Sequence, residues 1–278
     1  MSKNNTSIRD FLYEEPGPKT RTWIRIGTGI ALVLLAWLIY AVIDRFNVTG
    51  QFREKYWIFF TRWTTWRFLG EGLLTTLRVA VTAGAITFAL GFLLMRARLN
   101  RHTVIWRISA GIISFTRGVP TLLFVYFFFL VFPKTGIKLT GFWKITLPVA
   151  ISACGVVAEA LRSGVNAVPK GQREAALSLG MTERRSFYRV IFPQAFRFVI
   201  PTLIAEMVIV LKDTTFAYIV SCADLMQNAK VLISNYDALV SIYLVVAVIY
   251  ILINYGLNKL SDSLARRGGT MESRRAKA

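Results

Sequence analysis

The strongest constraint on this chain is a series of six apolar runs, each about as long as a membrane is thick. The runs lie near 24–43, 72–95, 108–131, 145–161, 198–220 and 238–258. A helix rises about 1.5 Å per residue, so about 20 residues cross a hydrocarbon core of about 30 Å. Only helices and closed barrels satisfy the backbone inside lipid, and the runs lack the two-residue alternation of a barrel strand. The sequence therefore predicts an all-α, polytopic membrane protein with six transmembrane helices.

The formal net charge of +19 would suggest nucleic-acid binding in a soluble protein. In the six-span arrangement, however, the segments on one side hold 22 Lys and Arg residues and those on the other side hold nine. Basic residues mark cytoplasmic loops, so both termini are predicted to be cytoplasmic. The same bias favours contact with anionic lipid headgroups and excludes a nucleic-acid partner.

The spans divide the chain into five segments. They are a cytoplasmic N-terminal segment 1–23, an extra N-terminal helix 24–43, an outer interfacial segment 44–69, a five-helix core 70–260 and a basic cytoplasmic tail 261–278. Residues 52–69 alternate aromatic and basic side chains, which predicts a helix lying in the outer interface.

The inner loop 166–197 carries helix signals at both ends. Pro169 suits the first turn of a helix, and Gly180 suits a left-handed C-terminal cap. Thr182 is a predicted N-cap for a second short helix, 183–191, which is expected to stop before Pro193. The loop is therefore predicted to form two short helices at a sharp angle.

The first of these helices presents small and charged side chains. Ala175 and Ala176 give it a smooth surface that fits a groove in a partner, with Leu179 supplying apolar contact. Arg173 and Glu174 supply charges that can pair across the rim of such a groove. The residues alone leave this hypothesis open beside a plain alternative, a well-capped surface hairpin.

The string 170–180 (KGQREAALSLG), followed by 192–197 (FPQAFR), resembles the cytoplasmic coupling motif of bacterial ABC importer permeases. More narrowly, it is similar to the polar amino-acid uptake group of the type I fold. The resemblance extends over about 70–228 and includes the strings at 72–77, 117–120, 158–159 and 211–215. The first span lies outside it, and together with residues 13–18 looks like the actinobacterial glutamate-permease branch.

The resemblance implies that such a chain is a multi-pass protein of the bacterial plasma (inner) membrane, and it also implies how the chain works. The motif helix docks onto a cytoplasmic ATPase dimer, with coupling residues at Gln172, Glu174, Ala175, Ala176, Leu179 and Gly180. An extracytoplasmic amino-acid-binding protein delivers the substrate, and two permease subunits move it by alternating access. The sequence has no G-x-x-x-x-G-K-[ST] phosphate loop, so ATP and Mg²⁺ are expected on the partner ATPase. We expect no catalytic residues, no cofactor and no metal site in this chain.

Polar residues inside apolar runs are the candidates for the substrate path, because intramembrane charges usually face a protein interior or a water-filled cavity. The candidates are Arg117, Glu159, Lys212 and Thr214. Each charged residue has a structural alternative: Glu159 pairs with Arg162 near the headgroups, Arg117 satisfies carbonyls freed by a kink near Pro120, and Lys212 pairs with Asp213.

Three positions depart from the family pattern. Phe124 stands where glutamine is common, Gly155-Val156 replaces Ala-Tyr, and Ala205 replaces asparagine. Polar or amphipathic positions near the expected path have become apolar or small. This loss leads to the hypothesis that a second, non-identical permease subunit makes more of the substrate contacts.

The substrate is predicted from charge. An acidic amino acid suits Arg117 and Lys212, whereas a cationic one suits Glu159. Glutamate also fits the branch resemblance, with glutamine or a basic amino acid such as arginine as alternatives. An ion-coupled secondary transporter is a further alternative, but it predicts internal repeats and none is visible.

Overall fold

The computed structural model describes the backbone of residues 17–275 and the side chains over 19–260 and at Ser263. Most of the predicted N-terminal segment lies outside the described residues. The same holds for the end of the predicted basic tail, and for most of its side chains.

Between residues 17 and 275 the backbone forms helices and connecting turns, with no strand. The α-helices are α1 Pro18–Val48, α2 Trp63–Arg98, α3 Thr103–Gly118, α4 Thr121–Tyr126, α5 Gly141–Ala167, α6 Lys170–Ser178, α7 Glu183–Ser186, α8 Phe192–Asp213, α9 Leu225–Tyr236 and α10 Leu239–Arg275. Five helical stretches in this part of the chain are long and apolar enough to cross a membrane, and one bent pair would supply a sixth. The predicted all-α membrane fold is confirmed.

The bent pair covers the predicted span over 108–131 and breaks it at the kink expected near Pro120. Thr103–Gly118 and Thr121–Thr135 meet at an angle of 97°. Val119 is extended, with φ −98° and ψ 126°, because the ring of Pro120 disfavours the helical region for the residue before it. A π-helical turn, Phe127–Val131, and a 3₁₀ turn, Phe132–Thr135, follow α4.

The chain divides into one unit up to Trp57 and a second from Ile58 onward. In the first unit, α1 exposes large apolar side chains such as Val33 and Trp37, as a helix surrounded by lipid does. After α1 the indole nitrogen of Trp57 donates to the carbonyl of Gln51 over 2.9 Å, which turns the chain back on itself.

The predicted helix over 52–69 is wrong. Between residue 52 and the end of the first unit, the helical structure consists of the 3₁₀ turn Glu54–Tyr56. The second unit begins with another 3₁₀ turn, Ile58–Thr61, and α2 starts at Trp63. Alternating aromatic and basic residues indicated an interfacial location, but they did not specify a regular helix.

In the second unit, α5 forms the centre and packs against α2, α3, α4 and α8. Two buried clusters follow one another along it. The first includes Val79, Val149 and Val210, and the second includes Met95 and Val157. Because α5 is anchored along its length, it fixes both the inner loop at its C-terminal end and the break between α3 and α4.

A buried carboxylate caps α9. Oδ1 of Asp224 accepts the backbone N–H of Gln227 over 2.8 Å, and the side chain is fully buried. Desolvation by burial raises the pKa of Asp224 to about 6. The carboxyl group of Asp224 therefore binds its proton more tightly in the folded chain than in the unfolded chain. Protonated Asp224 consequently contributes to the free energy of unfolding at low pH. That contribution is lost as the pH rises from about 4 to about 6.

We expect Asp224→Asn to stabilise the chain at pH 7.5, because asparagine caps a helix as well as aspartate does and carries no charge. The free-energy difference is on the order of 3 kcal/mol, which should raise the Tm by several degrees. Thermal unfolding of the two purified proteins at pH 4.5 and 7.5 measures it. The difference in Tm between Asp224→Asn and the wild type should be smaller at pH 4.5 than at pH 7.5. A difference in Tm that is independent of pH would contradict the raised pKa of Asp224.

Candidate functional site

The inner hairpin consists of α6, the turn after it and α7. Helix α6 has nine residues and starts directly after Pro169, which occupies the N-cap rather than the first turn. Gly180 has φ +78°, and its N–H donates to the carbonyl of Leu177 over 2.9 Å. The N–H of Met181 donates to Ala176 over 3.1 Å. These two bonds form a Schellman motif, so the predicted left-handed cap at Gly180 is confirmed.

The second arm begins as predicted but does not end there. Thr182 Oγ1 accepts the N–H of Arg185 over 3.3 Å, which confirms the N-cap. The expected stop before Pro193 is wrong, since helical structure continues without interruption from Glu183 to Val220. A π-helical turn at Phe187–Ile191 makes this possible, with Phe192 N–H donating to Phe187. The larger turn of a π-helix leaves room for the ring of Pro193, which would otherwise clash with the preceding turn.

An ion cluster closes the hairpin. The guanidinium of Arg173 donates to both carboxylate oxygens of Glu183, at 2.5 and 3.1 Å. Arg101, from the turn between α2 and α3, lies 3.7 Å from the same carboxylate. The bond from Arg173 lowers the pKa of Glu183. The charge of Arg173, expected at the rim of a partner groove, is thus paired within the chain.

The hairpin has an inner and an outer face. Ala176 is 3% exposed, and the Gln194 amide donates to Gln172 over 3.3 Å, so this face lies against the chain itself. Leu179 is 80% exposed, and Glu174 and Ala175 are also exposed. The predicted smooth surface of two alanines is therefore corrected. Ala175 forms part of it, whereas Ala176, about 100° further around the helix, packs inward.

The structure brings together three polar side chains at the break between α3 and α4. Thr121 Oγ1 donates to Asp213 Oδ2 over 2.8 Å, and the hydroxyls of Thr121 and Ser152 are 2.9 Å apart. A threonine hydroxyl has one hydrogen, so Ser152 donates to Thr121 when Thr121 donates to Asp213. Sequence reasoning missed this cluster. The available signal was Asp213, a carboxylate at the end of an apolar run.

The four predicted path residues occupy different environments. Arg117 is exposed beside the break, and Lys212 is exposed near the end of α8. Among the described residues neither has an ion pair with a carboxylate. Glu159 pairs with Arg162 over 2.7 Å. Thr214 is fully buried and donates to the carbonyl of Leu211 over 2.7 Å.

The positions that depart from the family pattern lie in different structural environments. Gly155 is buried where α5 crosses α3, and an added Cβ would overlap Oγ1 of Thr116 and lie 3.0 Å from the carbonyl of Ile113. Glycine is required there by the close approach of the two helices. Phe124 is also buried, whereas Ala205 is exposed.

The family model described as "Binding-protein-dependent transport system inner membrane component" matches residues 87–268. The chain belongs to this family. It is a type I ABC importer permease of the polar amino-acid group, located in the inner membrane. Such permeases are transport components that work with ATPase and substrate-binding partners, and ATP hydrolysis belongs to the ATPases. The alternative of an ion-coupled secondary transporter is therefore rejected.

Curated relatives support this assignment. The permease is 31% identical to a glutamate transport system permease protein of Corynebacterium glutamicum, over 78% of this chain and 81% of the relative. It is 29% identical to a probable glutamine ABC transporter permease protein of Bacillus subtilis, over 72% and 93% of the two chains.

Solved structures share the fold. A chain in the crystal structure of an amino acid ABC transporter with histidines has a TM-score of 0.69 and 28% identity, covering 75% of this permease and 98% of that chain. A chain of a methionine ABC transporter has a TM-score of 0.60 at 15% identity, covering 73% and 99%.

Proposed function

We propose that this importer permease carries glutamate. The observation that carries the proposal is the charge balance of the predicted path. Arg117 and Lys212 are exposed and lack a carboxylate partner among the described residues, whereas Glu159 is neutralised by Arg162. The remaining charge is positive, which favours an acidic substrate over a cationic one. The Corynebacterium relative, a glutamate permease, supports the same choice.

The inner hairpin is proposed to couple this permease to its ATPase. Glu174, Ala175 and Leu179 form the exposed face that contacts the partner. Three further residues hold the hairpin in shape, namely Gln172, Ala176 and Gly180. Thr214, buried beside the end of α8, is proposed to shape the substrate path rather than to touch the substrate.

The proposed assembly is heteromeric, with both termini cytoplasmic. The apolar or small residues at Phe124, Gly155 and Ala205 support a division of labour with a non-identical permease subunit. In this arrangement 24–43 is a helix additional to the transport core at 70–260. A transport-competent complex purified with this chain as its sole permease would refute the heteromer.

Reconstitution with the co-purifying subunits tests the substrate. Glutamate, presented with its binding protein, should stimulate ATP hydrolysis more than glutamine or arginine does. Arg117→Gln and Lys212→Gln should each raise the KM for glutamate about tenfold, the expected effect of losing a hydrogen bond to a charged group. The matched control Lys138→Gln removes an exposed lysine outside the path and should leave the KM unchanged.

The outcomes separate the two levels of the proposal. If arginine or glutamine stimulates ATP hydrolysis more than glutamate does, that amino acid is the substrate instead of glutamate. The role of the chain in transport is unaffected by this result. Absence of stimulation by every amino acid tested would contradict the transport role proposed for this complex.

A further inference from the structure

A cavity of about 710 Å³ lies behind the inner hairpin. It is bounded by the end of α2, the end of α5 and both arms of the hairpin. Its charged lining consists of Arg96, Arg101, Lys170, Arg173, Arg184 and Glu183. Five cations thus surround one carboxylate, in a space within the range of 300–1,000 Å³ usual for small-ligand sites.

Three of these cations are not neutralised. Glu183 is engaged by Arg173 and lies near Arg101. Among the described residues, no carboxylate pairs with Arg96, Lys170 or Arg184. Clustering like charges around one cavity costs free energy unless an anion offsets it.

Arg96 is held in place by an aromatic ring. Its guanidinium carbon lies 4.1 Å from the centre of the Phe187 ring, which also lines the cavity. Stacking leaves the edge of the planar guanidinium free to donate hydrogen bonds. This is the arrangement in which arginine binds a phosphate or carboxylate through two parallel bonds.

A buried hydroxyl adds an independent signal. Ser186 is 1% exposed, lines the cavity, and its Oγ has no hydrogen-bond partner in the described part of the chain. An unpaired buried hydroxyl costs about 1–3 kcal/mol, so such groups usually have a ligand or water as partner. A serine hydroxyl can donate to the same anion that the arginines bind.

We propose that this cavity binds a phosphate-bearing anion. Arg96 and Ser186 donate hydrogen bonds to the phosphate, and Lys170 and Arg184 supply further positive charge. Since the cavity touches α2, α5 and the hairpin, the bound anion joins the hairpin to the ends of two membrane helices. The phosphate group can come from the cytoplasm or from an anionic lipid headgroup. The proposal does not depend on the ATPase or on the substrate.

The first arm of the test uses the full-length chain in phosphatidylcholine nanodiscs with inorganic phosphate as the probe. Phosphate should slow amide hydrogen exchange over 170–180 saturably, whereas chloride at equal ionic strength should not. Arg96→Gln, Ser186→Ala and Lys170→Gln should each weaken the phosphate effect about tenfold. The controls Arg107→Gln and Ser163→Ala alter exposed residues that do not line the cavity, and they should behave as wild type.

The second arm uses nanodiscs that contain phosphatidylglycerol. Retention of this lipid in native mass spectra by the wild type, but not by Lys170→Gln or Arg96→Gln, identifies a headgroup as the source of the phosphate. Saturable protection by inorganic phosphate in the first arm identifies a soluble source. Lys170 is exposed, so its variant keeps the test decisive if Arg96→Gln fails to fold. Absence of both effects, or wild-type behaviour of the three variants, overturns the proposal.

Discussion

Gly180→Pro should abolish ATP-dependent uptake while the chain still inserts into the membrane. Proline fixes φ near −65°, whereas Gly180 has φ +78°, and proline has no N–H to donate to Leu177. Both bonds of the Schellman motif then lose their geometry, and α6 no longer meets α7 at the observed angle. Uptake by proteoliposomes that contain the whole complex measures the effect, and the amount of inserted permease is quantified in parallel.

A matched control separates coupling from general backbone damage. Gly136 also has positive φ, +89°, and also donates its N–H to a carbonyl three residues back. As at Gly180, a Cβ added to Gly136 would meet no atom within 4 Å. It lies outside the inner hairpin, so Gly136→Pro should retain most of the uptake. Equal loss in the two variants, or normal uptake by Gly180→Pro, would remove the support for coupling through the hairpin.

Gly155→Ala should destabilise the folded permease by about 1–3 kcal/mol, the usual cost of overfilling a packed core. The new methyl group would overlap Oγ1 of Thr116 and press on the carbonyl of Ile113, so α3 and α5 must separate. Thermal unfolding of the purified chain should show a lower Tm. Adding Thr116→Ala removes the nearest obstacle and should recover part of the loss.

The control for this substitution lies on the helix that Gly155 approaches. Gly111 is inside α3 and has no atom near a built Cβ. Gly111→Ala should raise stability by about 0.5–1 kcal/mol, because alanine loses less backbone entropy in a helix. A Gly155→Ala variant as stable as Gly111→Ala would contradict the tight crossing of the two helices.

The features that the sequence predicted correctly depend on neighbouring residues. The apolar runs, the left-handed cap at Gly180 and the N-cap at Thr182 are determined within a few residues, and the structure contains all of them. The same local reasoning failed at Pro193, because a π-helical turn is a rare way to continue a helix through proline.

Contacts between distant segments could not be predicted. Thr121 and Asp213 are 92 residues apart in the chain, and the inward direction of Ala176 depends on how α6 seats against α8. The bidentate bond from Arg173 to Glu183 likewise depends on the angle between the two arms of the hairpin. Each of these requires the packed arrangement of the helices, which periodicity and capping signals do not contain.

The π-helical turn before Pro193 has a mechanical consequence. Since α7 runs into α8 without a break, helical structure is continuous over the 38 residues of Glu183–Val220, a length of about 57 Å at the rise of an α-helix. We expect a displacement of the hairpin to be transmitted along this stretch, because no non-helical residue interrupts it. Near the other end, Asp213 accepts a hydrogen bond from Thr121, the first residue of α4 after the break. One continuous helical stretch therefore connects the hairpin to the broken span.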